Sequence, residues 1–403
     1  MEKQKLIEMG TLSRGKSQHR PRNDLKLYGG IYPFIQTGDV KNSNLYIDKY
    51  SQTYNDFGLK QSKLWPENTL CITIAANIAD TGILSFPACF PDSIIGFTAT
   101  KGKTDVRYVK YCFDLYQKSI QNMSKGSTQD NLSMEKLEQL EFNCPSFDEQ
   151  QKIAAVLSSL DDKIVLNNRI NAKLEQMAKL LYDYWFVQFD FPGADGKPYK
   201  SNGGKMVWNE ELKREIPEGW EVGVLSDVAD ITMGQSPEGS SYNESGEGIV
   251  FYQGSTDFGI RFPNVRMYTT EPTRYAKKRD ILMSVRAPVG TLNIANSDCC
   301  IGRGLAALNS KLNSITHLWY MMDVFKHTFE NKNGAGTTFG SITKDELYNL
   351  PVVIPPKKII EQFTEKTLPI FNQQLLVAEE NVKLTTMRDK LLPLLMNGQV
   401  VVE

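Results

Sequence analysis

The sequence predicts an α+β protein in which two strand-rich globular heads of mixed structure are each followed by a long helix. Three observations carry this prediction: an internal repeat at an offset of 210 residues, two heptad series, and short apolar runs bounded by Gly, Pro, Asn and Asp. The two helices are expected to pack as an antiparallel coiled coil, which gives the chain a pseudo-twofold internal repeat.

The repeat is clearest where each head ends and its helix begins. KGSTQDNLSMEKLEQLEFNCP (125–145) matches NGAGTTFGSITKDELYNLPVVIP (333–355), and Asn171, Leu174, Met177 and Leu181 then fall on Asn381, Leu384, Met387 and Leu391. Upstream the match needs gaps, although IYPFIQTGD (31–39) resembles IVFYQGSTD (249–257) and LCITIAA (70–76) resembles ILMSVRA (281–287). One unit is therefore used twice, with divergent heads.

The repeat sets four predicted segments. The first head covers residues 1–145 and the central helix 146–188; a linker and the second head cover 189–355, and the C-terminal helix covers 356–403. Runs such as LCITIA, RDILMSVR and GLAALN predict strands in the heads. DVRYVKYCFDLYQKSI and THLWYMMDVFKHTF predict helices in them.

The two long helices carry heptads with four-three spacing, the pattern of a coiled-coil seam. The residues predicted to form the helix-helix spacer are Leu157, Leu160, Ile164, Asn171, Leu174, Leu181, Val377, Asn381, Leu384 and Leu391. Asn171 and Asn381 are interpreted as register-fixing residues, with solvent-facing asparagines as the alternative, and Pro369 is expected to kink or interrupt the second helix. Helices of about 35 residues span roughly 50 Å, about one and a half turns of B-DNA.

Composition predicts an ordinary soluble cytoplasmic protein. The net charge is -1, but residues 1–126 hold seventeen Lys and Arg against eleven Asp and Glu, which allows a polyanionic partner or simply a solvated face. The segment 261–286 is basic as well, with seven basic against two acidic residues. No apolar run is long enough to span a membrane. The six cysteines form no C-x-x-C, which predicts reduced, partly buried thiols and no metal site.

GTLSRGKS (10–17) fits the phosphate-loop pattern G-x-x-x-x-G-K-[ST]. A phosphate loop needs a buried strand before it and a helix after it, and the flanking sequence predicts neither. A polar surface loop is therefore favoured over an NTPase. The sequence also contains no H-E-x-x-H, no G-x-S-x-G and no D-P-P-Y or N-P-P-[FY] tetrapeptide, so a binding protein is predicted and no catalytic residue is assigned.

The segment 189–237, FDFPGADGKPYKSNGGKMVWNEELKREIPEGWEVGVLSDVADITMGQSP, resembles the DNA-specificity subunits of type I restriction-modification systems. EQQKIAAVLSSLDDKI, LYDYWF and MRDKLLPLLMNGQV, which flank or close the helices, resemble the same family. With the repeat, the similarity covers essentially the whole chain.

The resemblance implies a non-catalytic subunit of a prokaryotic, cytoplasmic enzyme complex. Each head, a target recognition domain, would read one half of a bipartite double-stranded DNA site, and the helices would set the unread spacer. Two methyltransferase subunits would dock and supply S-adenosylmethionine, and restriction/translocase subunits using ATP and magnesium could join them. The alternative is a coiled-coil scaffold whose heads bind a non-DNA partner.

The predicted DNA contacts are polar and basic residues near Gly-containing turns, because Arg and Lys bind phosphate or guanine and Gln pairs with adenine. Ordinary turn-forming glutamines are the alternative for Gln36 and Gln253, which occupy matched positions. The candidates are Ser13, Arg14, Lys16, Arg20, Arg22, Gln36, Lys101, Lys103, Ser127, Thr128, Gln129, Gln235, Ser236, Gln253, Arg286, Arg303, Thr337 and Thr338. The aromatic run YDYWFVQFDF (182–191) is instead interpreted as packing between helix and head.

Overall fold

The computed structural model describes residues 2–75, 78–124, 132–334 and 340–402. They form two compact units, one of Met1–Leu166 with Asn381–Glu403 and the other of Asn167–Glu380. Each long helix therefore contributes to both units. The segment boundaries read from the sequence, which keep each helix whole, stay predictions.

The first unit holds a mixed head. Its strands are β1 (Glu2–Lys5), β2 (Gly10–Arg14), β3 (Tyr28–Phe34), β4 (Tyr46–Ile47), β5 (Gln52–Tyr54), β6 (Leu70–Thr73), β7 (Thr81–Leu84), β8 (Ile94–Ala99) and β9 (Glu141–Cys144). Its helices are α1 (Leu6–Met9), α2 (Thr37–Lys41), α3 (Asp56–Lys60), α4 (Val106–Ser124) and α5 (Met134–Glu138), and the long helix α6 (Phe147–Tyr182) follows. Five strands make a sheet in the order β2-β8-β6-β7-β4.

The second head lies in the other unit. Its strands are β10 (Met206–Asn209), β11 (Arg214–Pro217), β12 (Glu221–Val224), β13 (Ala229–Met233), β14 (Tyr242–Asn243), β15 (Ile249–Tyr252), β16 (Tyr268–Thr269), β17 (Tyr275–Ala276), β18 (Ile281–Ser284), β19 (Leu292–Ile294), β20 (Cys299–Ile301), β21 (Leu305–Ser310) and β22 (Pro351–Ile354). Its helices are α7 (Leu225–Val228), α8 (Ile315–Gly334) and α9 (Lys344–Tyr348), and the long helix α10 (Lys357–Met396) follows.

The main sheets of the two heads share one strand order, as the repeat predicts, although the second head adds a five-stranded sheet, β14-β16-β15-β20-β17. The order β2-β8-β6-β7 in the first head reappears as β13-β21-β18-β19 in the second, and the pair β1 and β9 reappears as β12 and β22. LCIT and ILMS, the best matched apolar runs, are the matched central strands β6 and β18, and every residue of both is buried. Three consecutive apolar residues in each strand are buried because both faces of these strands are covered.

The heptad series lie along α6 and α10 as the sequence predicts. The first series runs along α6 and one turn beyond it, and the second runs along α10. Every member of both is buried or half-buried: Ile153, Leu157, Leu160, Ile164, Asn167, Asn171, Leu174, Ala178, Leu181 and Trp185 in the first, and Phe363, Thr367, Ile370, Gln374, Val377, Asn381, Leu384, Arg388, Leu391 and Leu395 in the second. Helix α10 runs through Pro369 without interruption, so the expected interruption is wrong, and a kink at Pro369 stays a prediction. Pro369 is exposed, and so is Glu365, whose carbonyl loses its helical donor at Pro369 and can bind water instead.

One buried carboxylate ties three elements together in the first unit. Asp161 on α6 accepts hydrogen bonds from Tyr111 Oη on α4 at 2.6 Å and from Arg388 Nη1 on α10 at 2.8 Å. Burial and the adjacent carboxylate raise the pKa of the Tyr111 hydroxyl, so it stays a donor at neutral pH.

The second unit has a corresponding carboxylate, Glu175, on the other half of α6. It accepts hydrogen bonds from Arg261 Nη2 at 2.5 Å, Gln374 Nε2 at 2.7 Å and Trp319 Nε1 at 3.1 Å. The Arg261 guanidinium also lies over the Trp319 ring, 4.7 Å from its centroid. Asn167 donates to Glu380 at 2.8 Å. Within this unit, residue 167 of α6 therefore contacts residue 380 of α10, and residue 175 contacts residue 374, so the residue numbers decrease along α10 as they increase along α6.

The last turns of α10 complete the core of the first unit. Leu395 and Met396 are each 2% exposed and join the hydrophobic cluster that contains Leu6 and Leu157. Asn143 Nδ2, on β9, donates to the carbonyl of Met396 at 3.2 Å. Residues far apart in the sequence therefore share one core.

The aromatic run after α6 is packing, as predicted. Trp185, Phe186, Phe189 and Phe191 are all buried in the main cluster of the second unit, around Trp220. A single turn of π-helix, Asp183–Val187, lets consecutive aromatic side chains face that core. All six cysteines are free thiols, and only Cys144 is more than slightly exposed. No helix in the described ranges could cross a membrane.

Removal of the Asp161 carboxylate should destabilise the first unit. Asp161→Ala leaves Arg388 and Tyr111 without their shared acceptor, and we expect the free energy of unfolding to fall by about 2 kcal/mol in chemical denaturation. Asp389, 60% exposed, also binds Arg388, and Asp389→Ala should cost less than about 0.5 kcal/mol. Equal losses of unfolding free energy in the two variants would contradict the assignment of Asp161 as the residue that links α4, α6 and α10.

Acid should destabilise the second unit through His317. This histidine is 2% exposed beside Phe186, and burial lowers its pKa from 6.5 to about 4. The unfolded state binds the extra proton first, so stability present above pH 6.5 is lost as the pH falls toward 4, by about 3 kcal/mol. Denaturation of His317→Leu across this range should show a flatter pH dependence. An unchanged slope would contradict the assignment.

Candidate nucleic-acid interface

Several strands of the second head end at one edge. The register pairs Met233 with Ala306 and Ser284 with Leu305, so the ends of β13 and β18 meet the start of β21. Strands β15 and β20 run parallel, with Tyr252 beside Ile301, so their carboxyl ends also meet. The residues that follow these strands include five predicted DNA contacts: Gln235, Ser236, Gln253, Arg286 and Arg303.

Three of those predicted residues line one recess, which we call the second recess. It has a volume of about 250 Å³ and is lined by Gln253, Gly254, Ser255, Thr256, Arg286, Ala287, Arg303 and Gly304. Arg286 and Arg303 are exposed, and no carboxylate pairs with either within the part of the chain that the structure describes. The recess therefore presents two uncompensated positive charges together with neutral hydrogen-bonding groups.

Backbone hydrogen bonds hold the floor of the second recess. Gly302 N donates to Tyr252 O at 2.8 Å, Gly304 N to Gln253 O at 3.2 Å and Val285 N to Gly304 O at 2.9 Å. A Cβ at Gly304 would lie 2.6 Å from the carbonyl oxygen of Gln253, so only glycine allows this approach. The turn that carries Arg303 is thus packed directly on Gln253.

The first head has a recess in the corresponding place, which we call the first recess. Strands β2 and β6 end where β8 begins, because Arg14 pairs with Ile95 and Thr73 with Ile94. The recess has a volume of about 340 Å³ and is lined by Ser17, Arg22, Asn23, Tyr28, Phe34, Gln36, Thr37, Gln52, Pro91 and Ser93. Here Arg22 Nη2 binds both oxygens of Asp92, at 2.7 and 2.9 Å.

An amide pair forms part of the first recess. Gln36 Nε2 donates to Gln52 Oε1 at 2.7 Å. The bond uses one donor of Gln36 and one acceptor of Gln52, so the pair keeps the Gln36 oxygen as an acceptor and the Gln52 amide as a donor. If both side-chain amides were flipped, the pair would still offer one free acceptor and one free donor.

The segment Gly10–Ser17 is not a phosphate loop and is only partly a loop. Gly10–Arg14 is strand β2, and the backbone N–H groups of Gly15 and Lys16 donate to Ile94 O and Phe90 O. Because these groups are used within the head and no helix follows, they cannot bind a phosphate in that manner. The predicted polar loop is therefore corrected to a strand, with Ser13 and Arg14 on it and the exposed Lys16 just beyond its end.

Not all predicted contacts come together. Arg20 Nη1 donates to the carbonyls of Ser17 and His19, which holds its own loop. Lys101 and Lys103 follow β8, whose end pairs with Gly10, so they lie about 14 Å of strand length from Arg14. Gln150 on α6 donates to Lys103 O at 3.2 Å, so this turn faces the long helix.

Five predicted contacts in the matched loops lie outside the described residues: Ser127, Thr128, Gln129, Thr337 and Thr338. Gly340, which follows the second of these loops, accepts a hydrogen bond from Ala287 N at 3.2 Å, next to Arg286. Conversely, the recesses are also lined by polar residues that no sequence pattern predicted: Asn23, Gln52, Ser93, Ser255 and Thr256. Gln52 is sixteen residues from Gln36, and no local pattern joins them.

The family described as type I restriction modification DNA specificity domain matches residues 1–176 and 217–378. The chain belongs to this family. The specificity subunit is similar to the type I restriction enzyme MjaIX specificity subunit of Methanocaldococcus jannaschii, with 27% identity over 99% of this chain and 93% of the relative. A protein of the same organism named as the MjaX specificity subunit is 32% identical over 75% of this chain and 70% of its own length.

A solved structure has the same fold. The S subunit of a type I restriction-modification system from M. genitalium covers 98% of this chain and 95% of its own, with a TM-score of 0.61 at 16% identity. A specificity subunit is a non-catalytic component of such a system, so the NTPase interpretation is dropped and the heads are DNA specificity domains.

Lys16 should contact the DNA backbone if the recess edge of the first head faces DNA. We expect Lys16→Ala to weaken duplex binding and to lower the slope of log affinity against log salt by about 0.9, measured by fluorescence anisotropy across a salt series. Lys101→Ala is the matched control, because Lys101 lies at the other end of the strand pair. Equal effects of the two variants would place the DNA elsewhere on the head.

Proposed function

We propose that this specificity subunit recognises a bipartite DNA site, one half with each head. The observation that carries the proposal is that two heads whose main sheets share one strand order each have a polar recess at the corresponding sheet edge, with different side chains lining it. One scaffold with two different recesses suits two unrelated half-sites. Predicted DNA contacts that were chosen from the sequence alone line both recesses.

The long helices act as the spacer between the half-sites. Support comes from the heptad series, whose members are buried or half-buried, and from hydrogen bonds of opposite sequence order between α6 and α10. We propose that they form the antiparallel coiled coil expected from the sequence. Their length then determines how many base pairs separate the two halves.

Two methyltransferase subunits dock on these helices. Exposed apolar side chains on both helices favour such docking. On α6, Met177 is 59% exposed, and Ile170 and Leu180 are exposed as well. On α10, Met387 is 52% exposed. Met177 and Met387 are also repeat-matched positions, which suits two copies of one partner. S-adenosylmethionine belongs to those subunits, and ATP and magnesium to a restriction/translocase subunit that joins the complex in the prokaryotic cytoplasm.

Co-expression tests this proposal. With a cognate methyltransferase subunit, we expect methylated adenine in a split motif with a fixed gap when the host DNA is sequenced. Exchange of residues 1–145 for those of another family member should change one half only, and exchange of 205–355 the other half only. A stable complex that methylates nothing would favour a scaffold whose heads bind a non-DNA partner.

A further inference from the structure

The two recesses differ in the base chemistry that they can recognise. We propose that Arg303, with Arg286 beside it, reads a guanine in the half-site of the second head, whereas the first head reads adenine through the Gln36–Gln52 amide pair. The inference rests on the proposed function and adds to it which class of base each recess takes.

Arg303 projects from a constrained turn. Gly302 and Gly304 on either side of it bond to Tyr252 O and Gln253 O, and a Cβ at Gly302 would come within 3.0 Å of the Gln253 Cα. Arg286 follows Val285, whose N–H binds Gly304 O. Both guanidinium groups therefore extend from backbone segments that are bonded to each other, a rigid base for directional hydrogen bonds.

Charge distinguishes the two recesses. Asp257, the acid nearest in sequence to the lining of the second recess, is buried and is bound by Arg266, so among the described residues it does not neutralise Arg286 or Arg303. In the first recess the one arginine, Arg22, is neutralised by Asp92. The groups left there for hydrogen bonding are mainly amides and hydroxyls.

The matching of donors and acceptors assigns the bases. The major-groove edge of guanine presents two acceptors, O6 and N7, which the planar guanidinium fork meets with two donors. Adenine presents one donor, N6, and one acceptor, N7. The amide pair offers the complementary set, since one Gln keeps an acceptor and the other a donor. The hydrogen bond between the two amides also holds the two side chains next to each other.

The test is the methylation motif of the full complex, wild type and variants, read by sequencing host DNA. In the wild type, the half-site of the second head contains a G·C pair. An A·T pair in the first half-site is already expected from adenine methylation, so the Gln52 variant is the test of the amide pair. Arg303→Ala should make one position of the second half-site degenerate, with a loss of about 10- to 100-fold in preference for guanine over the other bases. Gln52→Ala should relax one position of the first half-site only.

Arg279→Ala is the matched control, because Arg279 is exposed at the opposite end of β18 and should leave the motif unchanged. If Arg303→Ala and Arg286→Ala both keep the motif and lower methylation uniformly, these arginines bind phosphate and the inference is wrong. A second half-site without any G·C pair overturns it from the wild-type motif alone, even if a variant fails to fold. Absence of methylation by the wild-type complex refutes the proposed function itself, and this inference with it.

Discussion

The first unit depends on a hydrophobic core that its own head cannot close. Leu395 and Met396 complete the cluster built by Leu6, Leu157 and their neighbours, although more than 200 residues separate the two parts of the chain. Burial of two large apolar side chains contributes roughly 3 to 6 kcal/mol, a substantial share of the stability of an ordinary domain. The sharing of α10 between the two units follows from this requirement.

Polar contacts then give the helices a defined register. Asp161 and Glu175 both lie on α6, and each is the acceptor for one group on a head helix and one on α10. Apolar contacts between two helices allow one helix to shift along the other. A buried carboxylate with specific donors does not allow this shift, because it would leave buried charges unpaired. The partners on α10 are Arg388 for Asp161 and Gln374 for Glu175. Both units therefore have a carboxylate of α6 bound to α10, but the donor side chain differs.

Both long helices, the repeat and the packing role of the aromatic run could be predicted from the sequence, because each rests on many residues. The interruption expected at Pro369 rested on one residue and does not occur. The polar loop expected at Gly10–Ser17 is largely strand β2, because Gly10–Arg14 pairs with β8. The site was only partly predictable: Gln253, Arg286 and Arg303 were named separately, but strand direction decides that Lys101 lies far from Arg14 and that Gln52 meets Gln36.

Because the first unit includes Asn381–Glu403, its core cannot close before these residues have been synthesised. After residue 166 the ribosome adds more than 200 residues, which takes roughly 10 to 40 s at 5–20 residues per second. Throughout that time the apolar groove destined for Leu395 and Met396 faces solvent. The second unit, whose residues are contiguous, has no such delay. The nascent chain therefore exposes this apolar surface at one defined place until Leu395 and Met396 have been added.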